Sequence, residues 1–268
     1  MRAVEVIAVA ALAMLEGSLV ALPRPGALTG LSRLRSPLWA AVLPGSIVLG
    51  TFAPLWQPSL ASELVRGAAL TIPFVAVVGT VRVARGRGAI LRTSTFVLPA
   101  SALLAPGQLG QLSATLVTAF GCLSVGVALT RLIPRGWLLA GVVLMCLVDV
   151  LLLVSSAGQP AAALIANATA QLHGPAFDSA AVGPVTVDFP DLVLAAVVGG
   201  YVAGHSFQHR AALTLTLLAA ASGMLLPFIP LVPETVPIGL TFLLVVGWER
   251  AGPQRRALQD PALQSDLS

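Results

Sequence analysis

Two aspartates stand in surroundings that disfavour them. Asp149 lies inside LMCLVDVLLLVSS, and Asp191 leads the apolar run DLVLAAVVGG that follows VTVDFP. An aspartate at the centre of a membrane helix costs about 2.5–3.5 kcal/mol on insertion scales, so it is usually kept there for a function. Two carboxylates in a low-dielectric site do not comfortably both ionise, and such a pair holds one proton between them. The ionised member can then activate water while the protonated member donates to a carbonyl oxygen. The same two groups could instead bind a proton or sodium ion along a path, or lie at a membrane interface. Asp188, three residues before Asp191, stands where a helix N-cap is wanted.

The elements that must position these acids follow from composition. The chain of 268 residues is 57% hydrophobic and only 10% charged, with a mean hydropathy of +0.93. Soluble domains carry about a quarter charged residues, so this is an integral membrane protein. A span needs about 20 residues to cross roughly 30 Å of hydrocarbon. Apolar runs between Pro, Gly and Arg punctuation predict about nine such segments, near 4–23, 36–56, 66–82, 89–105, 110–130, 136–156, 186–204, 210–228 and 231–248. The runs are long and unbroken rather than alternating, which argues against strands. The expected fold is an all-α polytopic bundle. Asp149 then lies near the outer end of the sixth span and Asp191 near the outer start of the seventh, at matching depth.

The basic residues set the orientation. All fifteen are arginine, and only Arg2 and Arg66 fall on one side of the predicted spans. The rest cluster in the opposite connections, from Arg24, Arg33 and Arg35 to Arg250, Arg255 and Arg256. The positive-inside rule makes that side cytoplasmic, with the N-terminus outside, the C-terminus inside and the arginine-free connection 157–185 exterior. Because the arginines flank spans instead of forming one patch, they are topology signals and no nucleic-acid partner is expected. The Ala/Arg/Gly/Pro bias reads as a high-GC bacterial genome, and the location as the inner membrane. Cys122 and Cys146, inside apolar runs, read as buried free thiols. His205 and His209 are four apart but have no carboxylate or Cys near in sequence, so a metal site is not expected. Gly199, Gly200 and Gly204 read as close-packing positions. Glu16, in the first span, could serve a proton path or pair across the bundle.

The order of features in 136–248 resembles the presenilin and signal peptide peptidase family of intramembrane aspartyl proteases. The features are an Asp in the sixth span, an exposed connection, an Asp opening the seventh and a proline motif at the ninth. The first five spans match that family only in number. Where the family has Tyr-Asp, this chain has Val148–Asp149. Where it has Gly-x-Gly-Asp, this chain has DFPD, with Asp188 and Pro190 in the glycine positions and Asp191 as the aspartate. The Pro-Ala-Leu motif corresponds to Pro233, Glu234 and Thr235 in one register, and to the segment before Pro237 in another.

The resemblance implies a presenilin-like bundle of five N-terminal spans over 1–135, catalytic-type helices over 136–248 and a disordered cytoplasmic tail over 249–268. It implies Asp149 and Asp191 as the catalytic dyad, with Pro190, Pro233, Glu234 and Pro237 gating or binding substrate. Transmembrane or signal-peptide-like helices in the lipid bilayer would be the substrates, and no metal or organic cofactor is involved. The orientation matches the signal-peptide-peptidase type. The rival readings are a proton- or sodium-coupled transporter using the same aspartates, and an inactive scaffold. The oligomeric state stays open.

Overall fold

A computed structural model describes residues 3–85, 88–105, 107–155, 158–171, 176–225, 233 and 235–259. Ten α-helices run through them: α1 Ala3–Ala21, α2 Val42–Trp56, α3 Ser59–Val78, α4 Gly88–Leu104, α5 Gly107–Leu132, α6 Arg135–Val154, α7 Gly158–Gln171, α8 Phe189–Val202, α9 Gln208–Leu225 and α10 Thr235–Gln259. Among the described residues, each of the nine predicted apolar segments overlaps one of these helices. Five stretches are long and apolar enough to cross a membrane: Ala3–Ala21, Pro37–Trp56, Ser59–Val83, Gly107–Leu132 and Arg135–Val154. Their outward faces carry bare apolar side chains, among them Ile7, Leu38, Phe74 and Leu151. Such a surface suits lipid and would be a liability in water.

The helix α8 is the axis of the bundle. Its run LVLAAVVGG is apolar all round, which is the pattern of a helix buried on every side, and every residue from Asp191 to Gly200 is buried. Lipid gives helices no hydrophobic reason to associate, so they pack by close backbone approach through small residues. Three glycines make that approach here. A Cβ on Gly199 would stand 2.3 Å from the Leu19 carbonyl oxygen of α1, and one on Gly200 would meet Thr130 of α5 at 2.8 Å. One on Gly126 of α5 would meet Ala196 of α8 at 2.5 Å. Around this core α1 packs against α9, α3 and α4 pack against α5, and α2 packs against α6 and α7. α8, from the expected catalytic half, therefore packs against α1 and α5 of the first 135 residues, so the two halves form one bundle.

The connection 157–185, read from sequence as an exposed loop, is built. It holds α7 and an antiparallel hairpin, β1 Ser179–Val182 with β2 Val185–Asp188, in the register Ser179 to Asp188 and Val182 to Val185. A hairpin of two four-residue strands is marginal alone. This one is stapled to α5, whose buried Thr115 hydroxyl donates to the Ala181 carbonyl at 3.0 Å and accepts from the Ala181 amide at 3.1 Å. One turn on, Thr118 donates to the Phe177 carbonyl at 3.3 Å. Boundaries also move. α8 begins at Phe189 and not at 186, because β2 takes the preceding residues. α10 continues as one helix to Gln259, through the first part of the expected disordered tail.

At one end the arginine-bearing connections are tied together. The Arg131 Nε donates to the Ala27 carbonyl at 2.9 Å, Arg35 Nε to the Ile133 carbonyl at 3.3 Å, and the Arg85 amide to Leu22 at 2.8 Å. Buried Gln208, at the start of α9, donates through Nε2 toward the carbonyls of Val20, Ala21 and Pro23 at 3.0–3.1 Å. These carbonyls at and just beyond the end of α1 have no partner within that helix, and Gln208 satisfies them. The hairpin and the start of α10 lie at the opposite end.

Close packing at Gly199 predicts that Gly199→Ala costs about 1–3 kcal/mol through overpacking. Gly45→Ala, where an added Cβ meets nothing within 4 Å, should leave stability within about 0.5 kcal/mol. Thermal unfolding of the two variants in detergent, side by side with the parent, measures the difference.

Candidate functional site

Each candidate acid is placed by a different local rule. Asp149 sits on α6, five residues before its end at Val154, and is half-buried. Asp191 falls in the first turn of α8 and is buried, with 8% of its surface exposed. A carboxylate in a first helical turn is favoured by the helix dipole, and Pro190 beside it needs no amide partner at so early a position. Pro190 is thus accounted for as a helix-starting residue. Asp188 occupies the N-cap position with extended backbone, as the sequence predicts, but its side chain makes no capping hydrogen bond.

The two catalytic candidates come from helices that scarcely touch one another. α10 packs against both α6 and α8 and bridges them. The bridge is specific. Thr235, the first residue of α10, donates its hydroxyl hydrogen to Asp149 Oδ2 at 2.7 Å. One turn earlier on α6, the Cys146 thiol donates to the Thr235 carbonyl at 3.5 Å. Cys146 lies close enough to both Asp149 and Asp191 to feel their charges, and Asp191 also acts on Cys122. The thiol of Cys122, buried on α5, faces the Phe189 carbonyl at 3.8 Å. Both cysteines are free.

Asp188 stands at the mouth of this cluster. Its side chain is exposed, yet the surrounding chain withdraws it from bulk water, and that desolvation raises its carboxyl above the ordinary value. The negative charges of Asp178 and Asp149 add to the effect in the same direction. Asp178 is in turn fixed locally: its backbone carbonyl accepts from the Phe189 amide at 3.1 Å, and its Oδ2 accepts from the Thr169 hydroxyl on α7 at 3.2 Å. Asp149, Asp188 and Asp191 therefore gather at one end of the bundle, where α6 ends and α8 and α10 begin.

Of the other residues singled out in the sequence, Pro237 is buried in the first turn of α10, and Pro233 precedes that helix, its carbonyl accepting from the Val236 amide at 3.1 Å. Glu234 lies outside the described residues. Glu16 is buried, 3% exposed. It lines a cavity of about 40 Å³ between α1, β2, α9 and α10, together with Ser222 and Pro237. That volume accommodates water. His205 faces Glu249 at 3.9 Å, while His209 is exposed at the start of α9.

Sequence reasoning missed Thr235 as a partner of Asp149, Cys146 as part of the junction, and Asp178 beside Asp188. The one available signal was the position of Thr235 in the proline-flanked segment. No protein-family model matches the chain, no curated protein is significantly similar to it, and no solved structure matches it.

The approach of α10 to α6 depends on Gly239, where an added Cβ would stand 2.8 Å from the Cys146 sulfur. Gly239→Ala should therefore destabilise the protein by about 1–3 kcal/mol. Adding Cys146→Ala, which removes the opposing sulfur, should recover at least half of that loss. A double-mutant cycle read by thermal unfolding would give a coupling near zero if the two residues do not press on each other.

Proposed function

We propose that this chain is an intramembrane aspartyl protease similar to the presenilin and signal peptide peptidase family, with Asp149 and Asp191 as its dyad. The observation that carries the reading is that α10 joins the two aspartate-bearing helices: its first residue, Thr235, bonds Asp149 of α6, and α10 packs against α8, whose first turn carries Asp191. If the arginine-rich end is cytoplasmic by the positive-inside rule, the dyad lies toward the outer leaflet of a bacterial inner membrane. The chain then has nine spans, with its N-terminus outside.

In this reading one carboxyl group of the pair is ionised and takes a proton from water as the water attacks the scissile carbonyl. The other is protonated and donates to the carbonyl oxygen. The pair acts as a unit, so the two roles are not divided between the residues. Thr235 positions Asp149 by its hydrogen bond. A helical substrate hides its carbonyls in hydrogen bonds and must unwind locally before attack. Pro190, Pro233, Glu234 and Pro237 are the candidate substrate-binding or gating residues.

A second reading draws on a separate observation: buried Glu16 lines a water-sized cavity bounded also by Pro237 and β2. A third acid inside the bundle is what a proton or sodium path would use.

The test is cleavage of a transmembrane peptide reporter by the protein reconstituted in liposomes. Asp149→Asn and Asp191→Asn should each lower the rate by about 10²–10⁴-fold, the usual worth of a general acid or base. Asp188→Asn should stay within a few-fold of the parent. If Asp188→Asn abolishes cleavage and Asp191→Asn does not, the dyad partner is Asp188. If no variant or parent cleaves but the parent carries protons or sodium in a manner lost with Glu16→Gln, the transporter reading replaces the protease.

A further inference from the structure

A second polar cluster, unrelated to the aspartates, lies at the arginine-bearing end of the bundle. A cavity of about 290 Å³ opens there between the start of α6 and the later parts of α8 and α10. Its polar wall is made by Arg135, Tyr201, Glu249 and Arg250, and its apolar wall includes Leu139 and Phe242. The polar wall is organised. Arg135 Nη1 donates to Glu249 Oε1 at 3.2 Å, and its guanidinium carbon stands 5.8 Å from the centre of the Tyr201 ring. The Tyr201 hydroxyl donates to Glu249 Oε2. Glu249 thus uses both oxygens to hold Arg135 and Tyr201 in place, and it neutralises one positive charge. Arg250 follows it in the chain, exposed, and leaves the cavity net positive.

The position of the cavity narrows its ligand. Trp137, 55% exposed, stands one residue beyond the lining residue Gly136, and tryptophan favours the level of lipid headgroups. Further along α6 the large exposed side chains are Val143, Leu144, Leu147, Leu151 and Val154, all aliphatic. The cavity therefore sits where apolar helix surface gives way to charge. Guanidinium groups match phosphate oxygens in geometry as well as charge, and basic pockets between membrane helices take anionic headgroups. A free phosphate would use only the polar wall.

We propose that this cavity binds the phosphate of an anionic phospholipid. The phosphate lies between Arg135 and Arg250, and the glycerol and first acyl carbons lie against Leu139 and Phe242. The inference does not depend on the protease reading.

The test is native mass spectrometry of the full-length protein in mild detergent, with phosphatidylglycerol, phosphatidylcholine or sodium phosphate added. Phosphatidylglycerol should be retained well above phosphatidylcholine. A basic residue near a membrane surface contributes about 1 kcal/mol, so Arg250→Gln should cut that retention about fivefold. Arg250 is outside the Arg135–Glu249–Tyr201 set, so its loss leaves the fold intact and makes it the deciding variant. Arg135→Gln should reduce retention at least as much. Displacement of the lipid by millimolar phosphate would support phosphate as the recognised group. Equal retention of the two lipids, or retention unchanged by Arg250→Gln, would overturn the proposal. Arginine-dependent binding of phosphate without retention of phosphatidylglycerol would overturn it in favour of a soluble phosphate ester.

Discussion

The structure depends on the burial of α8 from every side. A helix in that position cannot rely on the exclusion of water, since its neighbours would be as comfortable in lipid. It is held by backbone approach, at Gly199 against the Leu19 carbonyl, at Gly200 against Thr130, and at Ala196 against Gly126. These contacts fix the height of α8 relative to α1 and α5. Once that height is set, the first turn of α8 is set too, and with it Asp191 and the strand that leads into it. The hairpin cannot slide independently, because Thr115 grips the backbone of Ala181 from α5 through both its hydroxyl functions. One parallel pair of helices, α5 and α8, thus determines where the buried carboxylate stands.

The two ends of the bundle are built differently. At the arginine-bearing end, side chains reach back to backbone carbonyls that have no partner in their own helices. Gln208 serves the end of α1, and Arg131 and Arg35 serve the adjoining turns. Each such carbonyl would cost about 1–3 kcal/mol if buried unpaired, so these bonds make that end rigid. The opposite end brings together acids, a thiol and a threonine hydroxyl, with Asp188 open at its mouth. One end is thus closed by side chains that satisfy backbone carbonyls, and the other leaves a polar cluster partly open.

How much of this could be read from the sequence depended on the range of the interaction. The apolar runs were legible because lipid imposes a length and a composition on any helix that crosses it, and each predicted segment lies on a helix. Asp149 and Asp191 were legible for the complementary reason: each is an expensive residue in an apolar setting. The hairpin was not. SAAV and VTVD are four residues each, too short to show a period of two against an apolar background, and the staple from Thr115 is 66 residues away. α7 escaped notice because GQPAAALIANATAQ has small and polar residues where a span would have large apolar ones. The link from Thr235 to Asp149 spans 86 residues, and its only local trace was the place of Thr235 in the proline-flanked segment.

That link changes how the two aspartates should be understood. Read from sequence, Asp149 and Asp191 lie on consecutive antiparallel helices that meet directly. In the structure α6 and α8 scarcely meet, and α10 is what joins them. The separation of the two carboxylates is therefore a property of three helices. It is set on one side by Gly239 of α10 against Cys146 and by the Thr235 bond, and on the other by the packing of α10 along α8. Pro233 lies just before this contact and Pro237 lies within the first turn of α10. Pro237, third in α10, occupies a first-turn position whose amide would have no partner within the helix, so the proline fits the helix start without breaking a backbone hydrogen bond. Because α10 packs against both α6 and α8, its position is coupled to both aspartate-bearing helices at once. Asp149 is thus held from α10 by the Thr235 hydroxyl, whereas Asp191 is placed by the burial of the first turn of α8.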